Sequence, residues 1–329
     1  MSQSILITGA AGFIGFHTAL RLLKQGEAVV GIDNLNEYYD VQLKNDRLAI
    51  LSEHKGFTFV KVDISVPEKM EALWRTHGPF TKVIHLAAQA GVRYSLDHPY
   101  DYIQSNLMGH LTILEMCRHT AGFEHLVYAS SSSVYGKNTK LPYSTTDNVD
   151  CPVSLYAATK KSDELISYSY SHLYGIAQTG LRFFTVYGPW GRPDMAYFIF
   201  AKAISEGQKV PVFNNGDMKR DFTYIDDIVD GILKALSRPV EKSEGVVRHR
   251  VLNLGNNKSE KLMDFIRVIE KSLAKKADLD FGPMQAGDVK ETFADLDETI
   301  QEIGYKPCTS IDAGIPQFIE WYQSYYNQE

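Results

Sequence analysis

The run Ile5-Leu6-Ile7-Thr8-Gly9-Ala10-Ala11-Gly12-Phe13-Ile14-Gly15 reads as a buried strand, a tight glycine turn and the opening of a helix. The first glycine permits the bend, the second lets backbone approach a diphosphate, and the third lets helix pack closely on strand. Free N–H groups at the start of such a helix, with the positive end of its dipole, favour an anion there. Working outward, residues 28–32 form a second apolar run, and Asp33 closes it 18 residues after Gly15. A carboxylate at that point accepts hydrogen bonds from ribose hydroxyls and repels a 2′-phosphate, which selects NAD over NADP. Phe13, Ile14 and Asn34 complete this bed. Asp63, followed by Ile64, ends a third run and is expected either to touch adenine or to cap the next helix.

The same rhythm continues. Strand candidates at 57–62, 83–86, 126–130 and 179–184 alternate with helical stretches at 13–24, 67–75, 100–118 and 156–174. Near-continuous apolar strands between amphipathic helices indicate a parallel sheet covered on both faces. The expected fold class is α/β, a doubly wound (Rossmann) parallel sheet with a second, smaller α/β substrate domain. Beyond Pro189 the rhythm breaks, although 251–255 again resembles a buried strand, 262–273 reads as a helix, and Asp226 with Asp227 is expected to cap a helical run. Residues 1–188 and 221–255 are therefore assigned to the NAD-binding domain. Residues 189–220 and 256–329 are assigned to an interleaved substrate domain.

Bulk composition narrows the function classes. The 329 residues are 44% hydrophobic and 12% aromatic, as a packed globular chain requires. A formal net charge of -6 disfavours nucleic acid and acidic membranes as partners. Cys117, Cys151 and Cys308 are far apart and follow no metal-ligand spacing, which fits reduced thiols. No charged leader precedes the first strand, and no run reaches the roughly 18 apolar residues that span a bilayer. A cytoplasmic location without a catalytic metal is the expectation.

Tyr156-Ala157-Ala158-Thr159-Lys160 opens the helical stretch 156–174. Spacing i, i+4 puts the tyrosine and the lysine on one face, one turn apart. A tyrosine hydroxyl ordinarily titrates near ~10, and an ammonium group within reach lowers this by about 1–3 units. The pair therefore suits proton removal from a hydroxyl while hydride leaves carbon for NAD. Upstream, Ser130-Ser131-Ser132-Ser133-Val134-Tyr135-Gly136 sits at the carboxyl end of a central strand, the edge where open α/β sheets bind ligands. A nucleotide-binding chain of this fold could act as a non-catalytic sensor instead. Such a chain would tolerate loss of the Tyr-Lys pair, which is intact here.

Taken together, the segments GAAGFIG, HLAAQAGVR, ASSSSVYG, YAATKK, RFFTVYGP and RDFTYIDDI resemble the NAD-dependent epimerase/dehydratase family, of the extended short-chain dehydrogenase/reductase type, across nearly the whole chain. The resemblance implies a UDP-sugar substrate, a homodimer built from the helices at 100–118 and 156–174, and C4 oxidation to a 4-keto sugar. It matches Ser131 to the catalytic Ser/Thr, Tyr156 to the base and Lys160 to its partner. It places Leu86, Ala88 and Asn106 along the cofactor, Arg220 on the nucleotide phosphates, Phe213 at the uracil pocket and Asp288 beside the phosphate site. Dehydratases and decarboxylases of this kind keep an acid next to the catalytic hydroxyl, where this chain has Ser132 and Ser133, neither of which can act as an acid or base. Epimerisation is the remaining outcome. Ser132, Ser133 and Thr185 are expected around the C5 substituent, with Arg93 and Arg192 adding charge, which suits the carboxylate of UDP-glucuronate. UDP-glucose and UDP-N-acetylglucosamine are the alternatives.

Overall fold

The computed structural model of the chain describes residues 4–284 and 289–326. In its first half, β1 (Ile5–Thr8), α1 (Phe13–Lys24), β2 (Val29–Asp33), α2 (Val41–Ser52), β3 (Phe57–Lys61), α3 (Pro67–His77) and β4 (Lys82–His85) alternate regularly. Two short helical turns follow, α4 (Tyr94–Asp97) and α5 (Pro99–Tyr102). A widened turn at Ile103–Met108 joins them to α6 (Gly109–Arg118), β5 (His125–Ser131), α7 (Leu155–Tyr174) and β6 (Gln178–Phe183). The remainder comprises β7 (Thr185–Tyr187), α8 (Ala196–Glu206), β8 (Lys209–Val212), β9 (Lys219–Tyr224), α9 (Ile225–Leu236) and β10 (His249–Leu254). After these come β11 (Ser259–Lys261), α10 (Leu262–Leu273), β12 (Asp278–Phe281), α11 (Asp297–Ile303) and α12 (Ile311–Tyr326).

Seven strands form the main sheet in the order β3-β2-β1-β4-β5-β6-β10. Every pairing in it is parallel. The strand order reverses between β1 and β4, so the chain leaves a crevice there at the carboxyl edge. Alternation along the strands shows why both faces are covered. Ile5, Ile7, Val29, Ile84 and Val127 point into one core, while Leu6, Val30, Val83 and Leu126 point into the other. The first of these cores runs on without a break into α10 and α12 through Phe222, Phe265 and Phe318.

Two smaller sheets carry the rest. One contains β11, β9 and β7, the other β12 and β8. Around the boundaries expected from sequence, β7 and β9 therefore lie in the small sheet, whereas β10 joins the large sheet and α9 packs on β5 and β6. Among the described residues no helix is long and apolar enough to cross a membrane.

Three expectations need correcting. The stretch 100–118 is not one helix, because Ile103–Met108 winds as a π turn. That turn seats Asn106 against Gln89 and Thr159, at a site where such wide turns commonly recur. The second miss is α2, whose inward face carries Lys44 and Arg47 beside Leu43, Leu48 and Leu51, so no apolar stripe shows in the sequence. Thirdly, Asp226 and Asp227 do not cap α9, whose N-cap is Tyr224. Asp227 instead accepts hydrogen bonds from the Cys308 and Thr309 amides.

Candidate active site

A cleft of about 940 Å³ opens along the carboxyl edge of the main sheet and runs between it and the small sheets. Its floor begins at the glycine turn. Gly9 has φ +71, and a Cβ at Gly15 would collide with the Gly9 carbonyl oxygen. Only glycine satisfies both demands. The N-cap of α1 is Gly12, which supplies no side-chain acceptor, so the first-turn amides of Phe13 and Ile14 face the cleft. A diphosphate fits that cradle.

Asp33 stands at the end of β2. Its carboxylate accepts from the Leu35 amide at 2.8 Å and the Ala11 amide at 3.2 Å, which ties it to the glycine turn. Burial pushes its pKa up, against the pull of those amides and of Lys44. Asn34 donates to Asp63 at 3.0 Å, and Ser65 donates to Asp63 through both amide and hydroxyl. Burial raises the Asp63 pKa, but these hydrogen bonds outweigh it and hold the carboxyl below its usual value. Ile64, Leu86 and Ala88 line the same end of the cleft. An adenosine with free ribose hydroxyls fits this acid-bearing, apolar-walled end.

Asn106 does not line the cleft, contrary to expectation. It is buried, with its amide engaged by Gln89 on both polar atoms and by Thr159 Oγ1. The π turn presents it to the back of the wall, where it fixes Gln89, a lining residue, to the helix that carries Tyr156. Asp288, together with residues 285–287, lies outside the described residues.

The middle of the cleft holds the serine turn and the Tyr156–Lys160 pair. Ser131 ends β5, and its Oγ accepts from the Ser133 amide at 3.2 Å and donates to Ser133 Oγ at 3.1 Å. Ser132 and Ser133 open the following 3-10 turn and line the cleft. Ser154 caps α7 by accepting from the Ala157 amide. That cap sets Tyr156 at the first turn, edge-on to the Tyr102 ring at 6.0 Å. Lys160 lies one turn below, its ammonium donating to the Ala129 carbonyl at 3.0 Å and to Asp163 at 3.1 Å. All five side chains, Ser131 through Ser133 with Tyr156 and Lys160, meet at one wall.

The far end is built by the small sheets. Thr185 on β7, Arg192, Phe213 and Arg220 on β9 line it, together with Arg93 from the opposite side. The Arg93 guanidinium sits 5.2 Å from the centre of the Phe213 ring, bridging the two sides. Arg220 donates to the carbonyls of Lys219 and Lys290. Arg192 is held by Asp194 through two hydrogen bonds, at 3.0 and 2.5 Å. The Tyr38 hydroxyl donates to the same carboxylate. Tyr38, Lys44, Gln89 and Asp194 were absent from the sequence-based site. Lys44 donates twice to Asn36 and is the cation nearest in kind to what Asp33 needs. Among the described residues no cluster of His, Cys, Asp or Glu could hold a metal ion.

A glycine turn, a strand-end serine and a Tyr-x-x-x-Lys helix around one cleft define an extended short-chain dehydrogenase/reductase. The chain belongs to the NAD dependent epimerase/dehydratase family, whose model matches residues 5–255, and NAD is its cofactor. It is 47% identical to UDP-glucuronate 4-epimerase 4 of Arabidopsis thaliana, over 98% of this chain and 76% of the relative. It is 45% identical to the probable UDP-glucuronate 4-epimerase of Rhizobium meliloti (strain 1021), over 98% of each. The solved structure of UDP-glucuronic acid 4-epimerase from Bacillus cereus with UDP-glucuronic acid and NAD superposes with a TM-score of 0.88 at 33% identity. That match covers 98% of this chain and all of the other.

Proposed function

We propose that the enzyme epimerises UDP-glucuronate at C4 to UDP-galacturonate, through a 4-keto sugar, with Tyr156 as base. Residues 1–188 and 221–255 would hold the cofactor, and 189–220 with 256–329 the nucleotide sugar. NAD, when bound, supplies the site that takes up hydride and gives it back. Tyr156 removes the proton from the C4 hydroxyl and later returns it. Lys160, one helical turn away, supplies the positive charge that favours the deprotonated form. Ser131 shares the hydroxyl proton from the strand end. Arg220 and Phe213 suit phosphate and uracil, and Arg93 stacks where it can reinforce that end.

The observation that carries the choice of reaction is the wall around Ser131. Ser132 and Ser133 occupy the turn beside the catalytic hydroxyl, and neither can take or give a proton at neutral pH. The carboxylates lining the cleft among the described residues are Asp33, Asp63, Asp97 and Asp194. None is on β5, the following turn or α7. Asp33 and Asp63 sit at the adenosine end, Asp97 is exposed at the end of α4, and Asp194 is engaged by Arg192 and Tyr38. Elimination of water therefore lacks its acid and base. Hydride can return to the opposite face only if the sugar turns over, because the cofactor bed is fixed by the glycine turn.

A 4-keto uronate is a β-keto acid and loses carbon dioxide when the carboxylate stands perpendicular to the ring carbonyl. Ser132, Ser133 and Thr185 are small hydroxyl donors that can hold the carboxylate away from that geometry without feeding a proton to the carbanion. Relatives active on UDP-glucuronate support this sugar over neutral ones. The test incubates the protein separately with UDP-glucuronate, UDP-glucose and UDP-N-acetylglucosamine and identifies products by NMR. UDP-galacturonate free of UDP-pentose is expected, with more pentose from a Ser132→Ala, Ser133→Ala double variant. UDP-xylose as the main product, or activity confined to neutral sugars, overturns the proposal.

A further inference from the structure

Helix α7 buries more charge than packing on a sheet requires. Lys160, Asp163 and Glu164 are all buried on its inner face. Glu164 is accounted for: it accepts two hydrogen bonds from Arg182 on β6 and one from Ser130 on β5. Asp163 is not. Its Oδ2 accepts from the Lys160 ammonium at 3.1 Å, while its Oδ1 is enclosed and has no hydrogen-bond partner among the described residues. The side chains of this pair are only 3% and 1% exposed, so solvent does little to screen them. Asp163 itself does not line the cleft.

An ammonium group has three hydrogens. Two of those on Lys160 are committed, to the Ala129 carbonyl and to Asp163, which leaves one for the cleft. The neighbouring ionisable groups do not neutralise the pair from elsewhere. His85 on β4 and His110 on α6 stack at 5.3 Å and are both held uncharged by burial, with His85 lowered to about 3 partly by Lys160 itself. His110 is turned toward Ser167 and the Asp163 backbone. His249 on β10 is likewise lowered by burial, to about 4, and bonds the buried Tyr128 hydroxyl on β5. Glu164 is engaged by Arg182 through two hydrogen bonds. Burial raises the Asp163 carboxyl to about 6, against the pull of Lys160.

We propose that Asp163 is a positioning residue for Lys160, anchoring the ammonium beneath Tyr156 and cancelling part of its field in the cleft. The inference rests on Tyr156 acting as the base with Lys160 as its partner. A carboxylate on the far side of the ammonium reduces the positive potential that Tyr156 meets, so the enzyme trades some base strength for a fixed lysine.

Asp163→Asn keeps the shape and removes the charge. The test compares kcat against pH for the NAD-loaded parent and this variant. The acid limb of the profile should move to lower pH by about 0.5–1 unit, with KM for the UDP-sugar unchanged within about twofold, since Asp163 touches no ligand. Asp163→Ser, smaller than the native side chain, makes the same comparison if the amide prevents folding and should shift the limb in the same direction. A purely structural role would lower the melting temperature and leave the limb in place, and that result overturns the inference. Tyr156→Phe run alongside separates the two levels. Near-normal turnover in that variant refutes the assignment of the base, whereas collapsed turnover with an unmoved limb in the position-163 variants refutes only the role of Asp163.

Discussion

Arg47 is fully buried on α2 and hydrogen-bonds four oxygens. NH1 donates to the Ala11 carbonyl and the Tyr39 hydroxyl, each at 2.8 Å. NH2 donates to the carbonyls of Trp190 at 2.6 Å and Gly191 at 3.2 Å. Arg47→Met retains much of the volume and leaves all four oxygens enclosed without that donor. Each stranded acceptor costs about 1–3 kcal/mol, toward the lower end for carbonyls that keep a second bond. Relief from burying the guanidinium offsets part of the loss, so about 2–4 kcal/mol of destabilisation is expected. At about 2.1 cal/mol/K per residue, 329 residues give an unfolding entropy near 0.7 kcal/mol per degree. The melting temperature should therefore fall by about 3–6 °C. Because Ala11 belongs to the glycine turn, NAD affinity should fall too. Scanning calorimetry with and without saturating NAD measures both effects, and Arg47→Lys should recover only part of each. A variant that melts within about 1 °C of the parent would refute this account of Arg47 as the tie between the turn and the 190–191 backbone.

The other predictions are more direct. Asp33→Ala removes the carboxylate that we propose accepts from the ribose hydroxyls, so protein denatured after purification should yield less NAD, and discrimination against NADP should relax. Leu165, Tyr168 and Leu173 on α7 and Tyr100 on α5 are exposed apolar side chains on neighbouring elements. We propose that they pair across a two-fold axis, so the parent should scatter light as a dimer at micromolar concentration and Leu165→Glu with Tyr168→Glu as a monomer. Burial raises the Glu164 pKa, but the Arg182 and Ser130 bonds outweigh it and hold the carboxyl below the ordinary 4.5. A depressed acid contributes stability that is present above its unfolded value and lost as pH falls through its folded value. Urea midpoints of the parent and Glu164→Gln should therefore differ at neutral pH and converge as pH falls below 4.5.

Much of the architecture was legible because the local pattern and the packing agree. The boundaries of β1, α1 and α10 match the apolar runs that announce them, since each is an ordinary strand or amphipathic helix with its apolar side inward. The grouping of Ser131, Tyr156 and Lys160 at one wall was legible for a different reason. Serine, tyrosine and lysine lie on two consecutive elements, β5 and α7, and topology brings their ends together. What escaped the sequence depends on distant partners. Tyr38 and Asp194 are 156 residues apart, and nothing local to either marks the bond between them. Lys44 was hidden because α2 buries two cations and so has no apolar period. Asn106 was placed on the cofactor because its segment fits the family pattern, yet the π turn sends its amide behind the wall. Asp163 gives no signal of its own among the polar residues of 160–164.

One set of long-range contacts fastens the loop at 189–195 to α1, α2 and the segment after β2. His17 on α1 bonds the Pro189 carbonyl at 2.9 Å. Arg47 holds the next two carbonyls, and Tyr38 holds Asp194, which in turn grips Arg192. Trp190 adopts φ +60, a left-handed conformation that costs a non-glycine residue about 1–3 kcal/mol unless its surroundings hold it. Its surroundings do so through the rings of Phe16 at 5.7 Å, Trp321 at 5.3 Å and Tyr325 at 5.2 Å. The loop that carries Arg192 is thus shaped by side chains from α1, α2, the segment after β2 and α12. We propose that this loop places Arg192 against the sugar, so that its position depends on α1 and α2. Substitutions at His17, Tyr38 or Arg47 should therefore disturb sugar binding, read as a raised KM for the UDP-sugar.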